Sequence, residues 1–498
     1  MNDKLEQAIE QLRVTAGRYR RARRYYAGLH DLSFATEKFA NTFGEMFREF
    51  ALNLCPAVVD ATRDKLKIKG FGIDSMSYAY TRESAGGGGP RSGRTGSNHG
   101  ALTPEGVTLA VGRIWNSNKM AIRAGEVHKE ALRCGDAYLI VWPGADGTVQ
   151  IVPNSADTMA VKYDEEVPGR ILWAAKYWRT ADKRTRLNLY FADRIEKYIS
   201  KDRGEGVLSD AKGFVPMARS KARRTEYEQG SLFDLANGGD VQPPATAGGT
   251  AKASGTANDA VVGNPYGVVP VFHFANNADI GEFGRSELEA AMPVQDGLNK
   301  SVLDMLVAME VSAFRQRWAA GIEIQLDPET GKEIAPFRSG LDTLWLTESP
   351  DAKFGDFAAT ELEQFLKVKD GFRIDIASVT GTPLYYLMPH TRAVPSGESL
   401  RKAETRFLAK VRDRQEQFGS VWADAMSFAL KIAGHPGVSL VTHWEDPAPT
   451  SEREILENLR IKKELGISTE QALKEAGYGD AEAKRIAREG SFATDERG

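Results

Sequence analysis

The chain has 498 residues, 42% hydrophobic and 27% charged, with a net charge of -3. This is ordinary globular composition, long enough for roughly two to four compact units, and too acidic for a protein that coats nucleic acid. It leaves open a protein that meets DNA without gripping it. The two cysteines, Cys55 and Cys134, cannot build a disulfide framework, so a reduced intracellular setting with both in the core is expected. The opening MNDKLEQAIEQLR lacks an apolar run, so no signal peptide is expected. No run of apolar residues is long enough to predict a membrane span.

Residues 1–65 read as helical. Leu5, Ile9 and Leu12 recur at helical spacing, and a second helical stretch covers about Glu45–Lys65. Between them Arg18, Arg20, Arg21, Arg23 and Arg24 cluster. A DNA-binding patch is one reading; a solvated face or a subunit contact is the commoner one. Residues 84–100, SAGGGGPRSGRTGSNHG, read as a flexible loop, and their glycines do not follow a phosphate-cradle pattern. A helix is predicted around Asn116–Cys134.

From Asp136 the pattern turns to short runs such as AYLIVW, VQIVP and ILWAAKYW, separated by PGADG and EVPG. Alternating β-branched and aromatic residues between turn signals predict an antiparallel β-rich region over 136–200. Residues 203–262 drift into Gly, Ala, Thr and Pro, a composition that predicts a disordered insertion. VVPVFHFANN (268–277) predicts a strand. Ser286 and Glu289 have capping-box spacing, and Pro293 suits the first turn of a long helix carrying Leu298, Val302, Met305, Leu306 and Met309. Residues 321–356 read as short and β-like. A second helix near Ala358–Ser378 follows, then an irregular Pro- and aromatic-rich loop, then a helix over 398–433. The tail has helix starts at Ser451/Glu454 and Ser468/Gln471.

A search for chemistry is empty. HExxH, CxxC, GxSxG and Walker A patterns are all missing, and the seven histidines do not pair at metal-ligand spacing. No catalytic residue, metal or cofactor is expected. The overall class expected is α+β.

Several stretches in order resemble the portal proteins of tailed bacteriophages, in the branch typified by the Bacillus phage family. They are YYAGLHDL (25–32), CGDAYLIVW (134–142), VPVFHFANN (269–277) with GRSEL (284–288), and PSGESLRKAE (395–404). The resemblance spans most of the chain and is least marked at 84–100, 203–262 and the tail. It implies a mixed wing domain (1–283), a first stem helix (284–320), a clip (321–357) and a second stem helix (358–378). A tunnel loop (379–397), a long wing helix (398–439) and a helical crown (440–498) complete the order. It also implies a ring, usually of twelve copies, at one capsid vertex, assembled in the host cytoplasm and carried in the virion. Double-stranded DNA passes through it. The implied partners are the terminase large subunit, a head-tail adaptor, and capsid and scaffold proteins; no membrane is involved.

A channel that moves DNA must not hold it, because every neutralised phosphate adds salt-dependent affinity. On that logic Asp296, Asp304 and Glu310 are expected as channel-wall acids, with Lys300 an exception and a neighbour- or water-facing role equally open. In the loop, His390 and Arg392 are the expected DNA contacts. Tyr385 and Tyr386 offer contact surface, or else anchor the loop between subunits. Two other readings stay open: a DNA-binding regulator using a helix-turn-helix-like tail, and an enzyme whose site is built from scattered residues.

Overall fold

The computed structural model describes residues 3–31, 52–74, 104–204, 210–217, 260–279, 283–313, 317–321, 350–356, 363–388, 397–448, 452–476 and 483–488, with isolated positions between. The Gly-rich stretch 84–100 lies outside them. The chain divides into two compact units, Met1–Glu445 and Asp446–Gly498. The class is α+β, as expected.

The larger unit opens with α1 (Asp3–Tyr26). Acids in its first turn and Arg23 and Arg24 in its last oppose the helix dipole favourably. The predicted stripe is buried at Leu5, Ile9 and Leu12 and continues through Tyr19, Ala22 and Tyr25. Helix α2 (Cys55–Lys65) starts where Pro56 occupies the first turn; residues 52–54 before it are not helical, and residues 45–51 of the predicted stretch lie outside the described set. After β1 (Ile68–Ile73) come α3 (Pro104–Ser117) and α4 (Met120–Cys134). Gly135, at φ 96°, ends α4 in the left-handed region that favours glycine.

The β-rich region forms as expected but splits into two sheets. Strands β2 (Asp136–Pro143) and β3 (Val149–Ser155) form one antiparallel sheet, extended by a later strand. Strands β4 (Met159–Tyr163), β5 (Ile171–Arg179), β6 (Thr185–Tyr190) and β7 (Arg194–Ser200) form the other. Order reaches further into 203–262 than composition predicts. Strands β8 (Phe214–Pro216) and β9 (Val261–Gly263) both pair with β7. Buried Phe214 and Ala211 supply the apolar contacts that hold the first of these ends; residues 218–259 lie outside the described set. Strand β10 (Val271–Ala275) then pairs with β2, giving the order β10-β2-β3.

These parts stack in layers. The first half of α1 covers one face of the six-stranded sheet through Leu5, Ile9, Leu12, Trp173, Leu187 and Leu189. The other face meets β10-β2-β3 through Met159, Val161, Tyr138, Ile140 and Val271. The far face of that smaller sheet packs on α4 and the helix α7 (Gly397–Ile432) through Leu139, Val141, Phe274, Phe418 and Trp422. At 36 residues α7 is about 54 Å long. β2, buried on both faces, therefore reads as one apolar run.

Between β10 and α7 lie α5 (Ala291–Ala313), β11 (Arg317–Ala320), β12 (Lys353–Asp356) and α6 (Glu363–Thr380). Ser286 does not open a helix. Its hydroxyl donates to the Arg133 carbonyl at 2.5 Å, and α5 begins at Ala291 with Pro293 in its first turn. After α7, β13 (Leu440–Trp444) pairs antiparallel with β1, so these residues belong to the larger unit, whereas the expected crown began at residue 440.

The smaller unit holds α8 (Glu452–Glu464) and α9 (Thr469–Glu475). Ser468 caps α9 by accepting from the Gln471 amide at 3.2 Å, as its spacing predicts. Ser451 lies outside the described residues.

Candidate functional site

The candidate site is the run from α5 to α7. Helices α5 and α6 pack side by side, joined through the antiparallel β11–β12 pair. Gly297 permits the approach: a Cβ there would sit 2.9 Å from the Phe372 ring. Most of the residues between β11 and β12 lie outside the described set.

The start of α5 is tied into the chain by buried polar side chains. Gln295 accepts from the Leu54 amide at 3.0 Å and donates to the Leu52 carbonyl at 2.7 Å. Asn299 donates to His30 Nδ1 at 2.8 Å, while Nε2 of that ring lies 3.2 Å from the Tyr25 carbonyl. Burial holds the His30 pKa below its ordinary value, so the ring is neutral and matches this donor–acceptor pattern. Asp296 is 4% exposed and accepts from the Tyr25 hydroxyl at 2.7 Å. Within this chain the Asp296 carboxylate therefore turns inward to Tyr25, whereas it was expected on a channel wall. Asp304 pairs with Lys300 one turn earlier, so the expected exception neutralises the expected acid. The side chain of Glu310 lies outside the described residues.

The segment after α6 also differs from expectation. Gly381, at φ 66°, ends α6, and the Lys410 ammonium caps its Thr380 carbonyl at 2.9 Å. Tyr385 donates to the buried Glu404 carboxylate of α7, and burial followed by that bond raises its phenol pKa. The Tyr386 ring lies 6.0 Å from Phe407 and 4.6 Å from Tyr385. Leu387 is buried. Within one chain, Tyr385 and Tyr386 therefore fasten the loop to α7, an anchoring role made inside the chain where the sequence offered one between subunits. His390 and Arg392 lie outside the described residues.

The junction that aims α5 was not foreseen. Gly284 donates to Asp136 Oδ1 at 2.8 Å, and its α-carbon faces Gly135 so closely that an added Cβ would lie 1.9 Å from the Gly135 oxygen. Asp136 is fully buried and also accepts from Arg18 and Tyr19, each at 2.7 Å, and lies 2.7 Å from His273 Nε2. The other nitrogen of His273 lies 2.6 Å from the Tyr163 hydroxyl. Asn276 donates to the Arg285 carbonyl at 2.7 Å, and the Glu287 amide donates to the Leu132 carbonyl at 2.9 Å. Glu287 receives Lys410 at 2.6 Å and Arg414 at 3.1 Å from α7. Burial alone would raise the Glu287 carboxyl, but the charges of Lys410 and Arg414 outweigh it and hold the pKa low. One short segment thus locks α4, two strands and α7 to the entry of α5. The sequence signal was the Gly-Asp pair at 135–136 opening an apolar strand, which costs too much to bury unless partners wait for it.

This arrangement positions helices. No cluster of metal-ligating side chains occurs among the described residues. Both thiols are buried with pKa pushed up to about 12, which makes them poor nucleophiles. No helix among the described residues is long and apolar enough to cross a membrane.

The family model described as phage portal protein, SPP1 Gp6-like, matches residues 100–495. The chain belongs to the phage portal proteins. The match runs over every element from α3 to α9, the α5–α7 site included. The portal proteins of Mycobacterium phages D29 and L5 are each 29% identical to it over 235 residues, 45% of this chain and 48% of either relative. This portal chain thus spans about half the length of the curated relatives it matches.

Proposed function

We propose that this portal chain is one subunit of a ring at a capsid vertex, through which double-stranded DNA is packaged and later ejected. The carrying observation is the family match over residues 100–495, together with an order of elements suited to a channel. Two packed helices are joined by a β pair, and a fastened loop leads into a 36-residue helix. In this reading α5 and α6 form the stem, the region between β11 and β12 the clip, and residues beyond Leu387 the tunnel loop. The clip docks the terminase large subunit and later a head-tail adaptor, while capsid and scaffold proteins surround the wing. The chain is a structural component of the virion and carries no catalytic site of its own.

Exposed apolar side chains on the stem support self-association. Met309, Leu366, Ile374 and Val379 are each about half exposed, and a lone subunit would leave them in water. Head-to-tail contacts that close on themselves bury such faces in a ring. His390 and Arg392, multiplied by the ring, would then give a sparse collar of cations, enough to touch DNA without arresting it.

Light scattering with negative-stain imaging tests this. Twelve copies of a 54.6 kDa chain give a ring of about 650 kDa with an axial hole. A chain that stays monomeric when purified, and is missing from the portal vertex of virions, overturns the reading.

A further inference from the structure

The arginine-rich second half of α1 forms part of a cleft of about 320 Å³, lined by Arg20, Arg23, Arg24, Leu29, Asp157 and Tyr177. The arginines are not equivalent. Arg23 is held by Glu130 and Asp157, each at 2.5 Å, and Arg24 pairs with Asp31 at 2.8 Å. Arg133 shares Glu130 at 2.5 Å. Arg20 and Arg179 are exposed and have no acidic partner among the described residues. Burial pushes the Tyr177 phenol up, whereas Arg179, Arg23 and Arg20 act against that shift, so all three cations act on its surroundings. Five guanidinium groups (Arg20, Arg23, Arg24, Arg133, Arg179) stand against three carboxylates (Asp31, Glu130, Asp157), which leaves two positive charges over.

We propose that this cleft binds an acidic side chain, an Asp or Glu flanked by an apolar residue, presented by a partner protein. Two guanidinium forks without acids match the planar, bidentate geometry of a carboxylate. Arg23, held by its two partners, has its charge already met. Leu29 is 61% exposed beside them, which suits a peptide with an apolar neighbour and adds nothing to a phosphate contact. Duplex DNA is a rod that meets rows of cations along a surface; here Arg20 lines the concavity and Arg179 follows the lining residue Tyr177 by two positions, on the same face of β5. The inference does not rest on the ring reading.

Saturation-transfer NMR on the full chain, with the acetylated and amidated peptide Leu-Asp-Leu-Glu as probe, tests it. Wild type gives saturable transfer, and Leu-Asn-Leu-Gln gives none. The double variant R20E/R179E, altered only at exposed positions, keeps the wild-type melting temperature and loses about tenfold in peptide signal. R20K/R179K retains an intermediate signal because charge remains without the fork. Equal transfer to both peptides, an unchanged signal in R20E/R179E, or full displacement by a short DNA duplex would each overturn the assignment.

Discussion

Glu287 and Arg414, 127 residues apart, meet in a buried ion pair in which both Nε (3.2 Å) and Nη2 (3.1 Å) of the guanidinium donate to one carboxylate oxygen. Lys410 takes the second oxygen at 2.6 Å. The pair links the entry of α5 to the middle of α7, and so couples the two longest parts of the candidate site.

Glu287→Gln should leave Lys410 buried without its counter-charge and Arg414 with only the half-exposed Asp413 beside it. A buried pair broken on one side costs about 3–5 kcal/mol. Urea denaturation should show that loss with an unchanged slope, and a change under about 1 kcal/mol would remove Glu287 from the junction.

Gly284→Ala should be worse tolerated than its small size suggests. The added carbon would overlap the Gly135 oxygen at 1.9 Å, and backbone cannot rotate away as a side chain can. A penalty of about 3 kcal/mol or failure to fold is expected, read by expression yield and circular dichroism. Gly112→Ala, where an added Cβ meets nothing, is the matched control and should be nearly neutral or stabilising.

His128 gives a pH signature. It is fully buried, accepts from Trp422 Nε1 at 2.9 Å, and burial lowers its pKa from 6.5 to about 3. The unfolded chain therefore binds a proton that the folded chain refuses. Stability from this group is complete above pH 6.5 and is lost as pH falls through 3, by about 5 kcal/mol in all. Denaturation midpoints at pH 7, 5 and 4 should fall more steeply for wild type than for His128→Gln. Parallel curves would show that another group carries the effect.

Tyr385→Phe removes the donor to Glu404, a carboxylate 4% exposed. An unmet buried acceptor costs about 1–3 kcal/mol. The loop should also loosen, so limited proteolysis should cut near residues 388–396 faster than in wild type. Equal cutting rates would show that Leu387 and Tyr386 suffice to hold it.

Arg392→Glu should let assembly proceed while DNA packaging or retention falls. Counting DNA-filled heads by electron microscopy after complementation checks this. Normal filling would take Arg392 off the contact surface.

Much was legible in the residues themselves. The helical stripes of α1 and α5, the uninterrupted run that forms α7, the short strands after Asp136, the Ser468 cap and the fourfold motif order toward the portal family all follow local rules. Periodicity and capping act over a few residues, so a string of letters carries them whole. What stayed hidden depends on partners far away in sequence. Asp296 looked like a wall acid until Tyr25 was brought to it. Tyr385 read equally as contact surface or as an anchor, and only the fold put Glu404 beneath it. Ser286 looked like the start of a helix, but its hydroxyl, which accepts from the Leu288 amide at 3.0 Å and donates to the Arg133 carbonyl, opens only a turn. The fate of a polar side chain turns on who desolvates it and who bonds it, and only the folded chain supplies both.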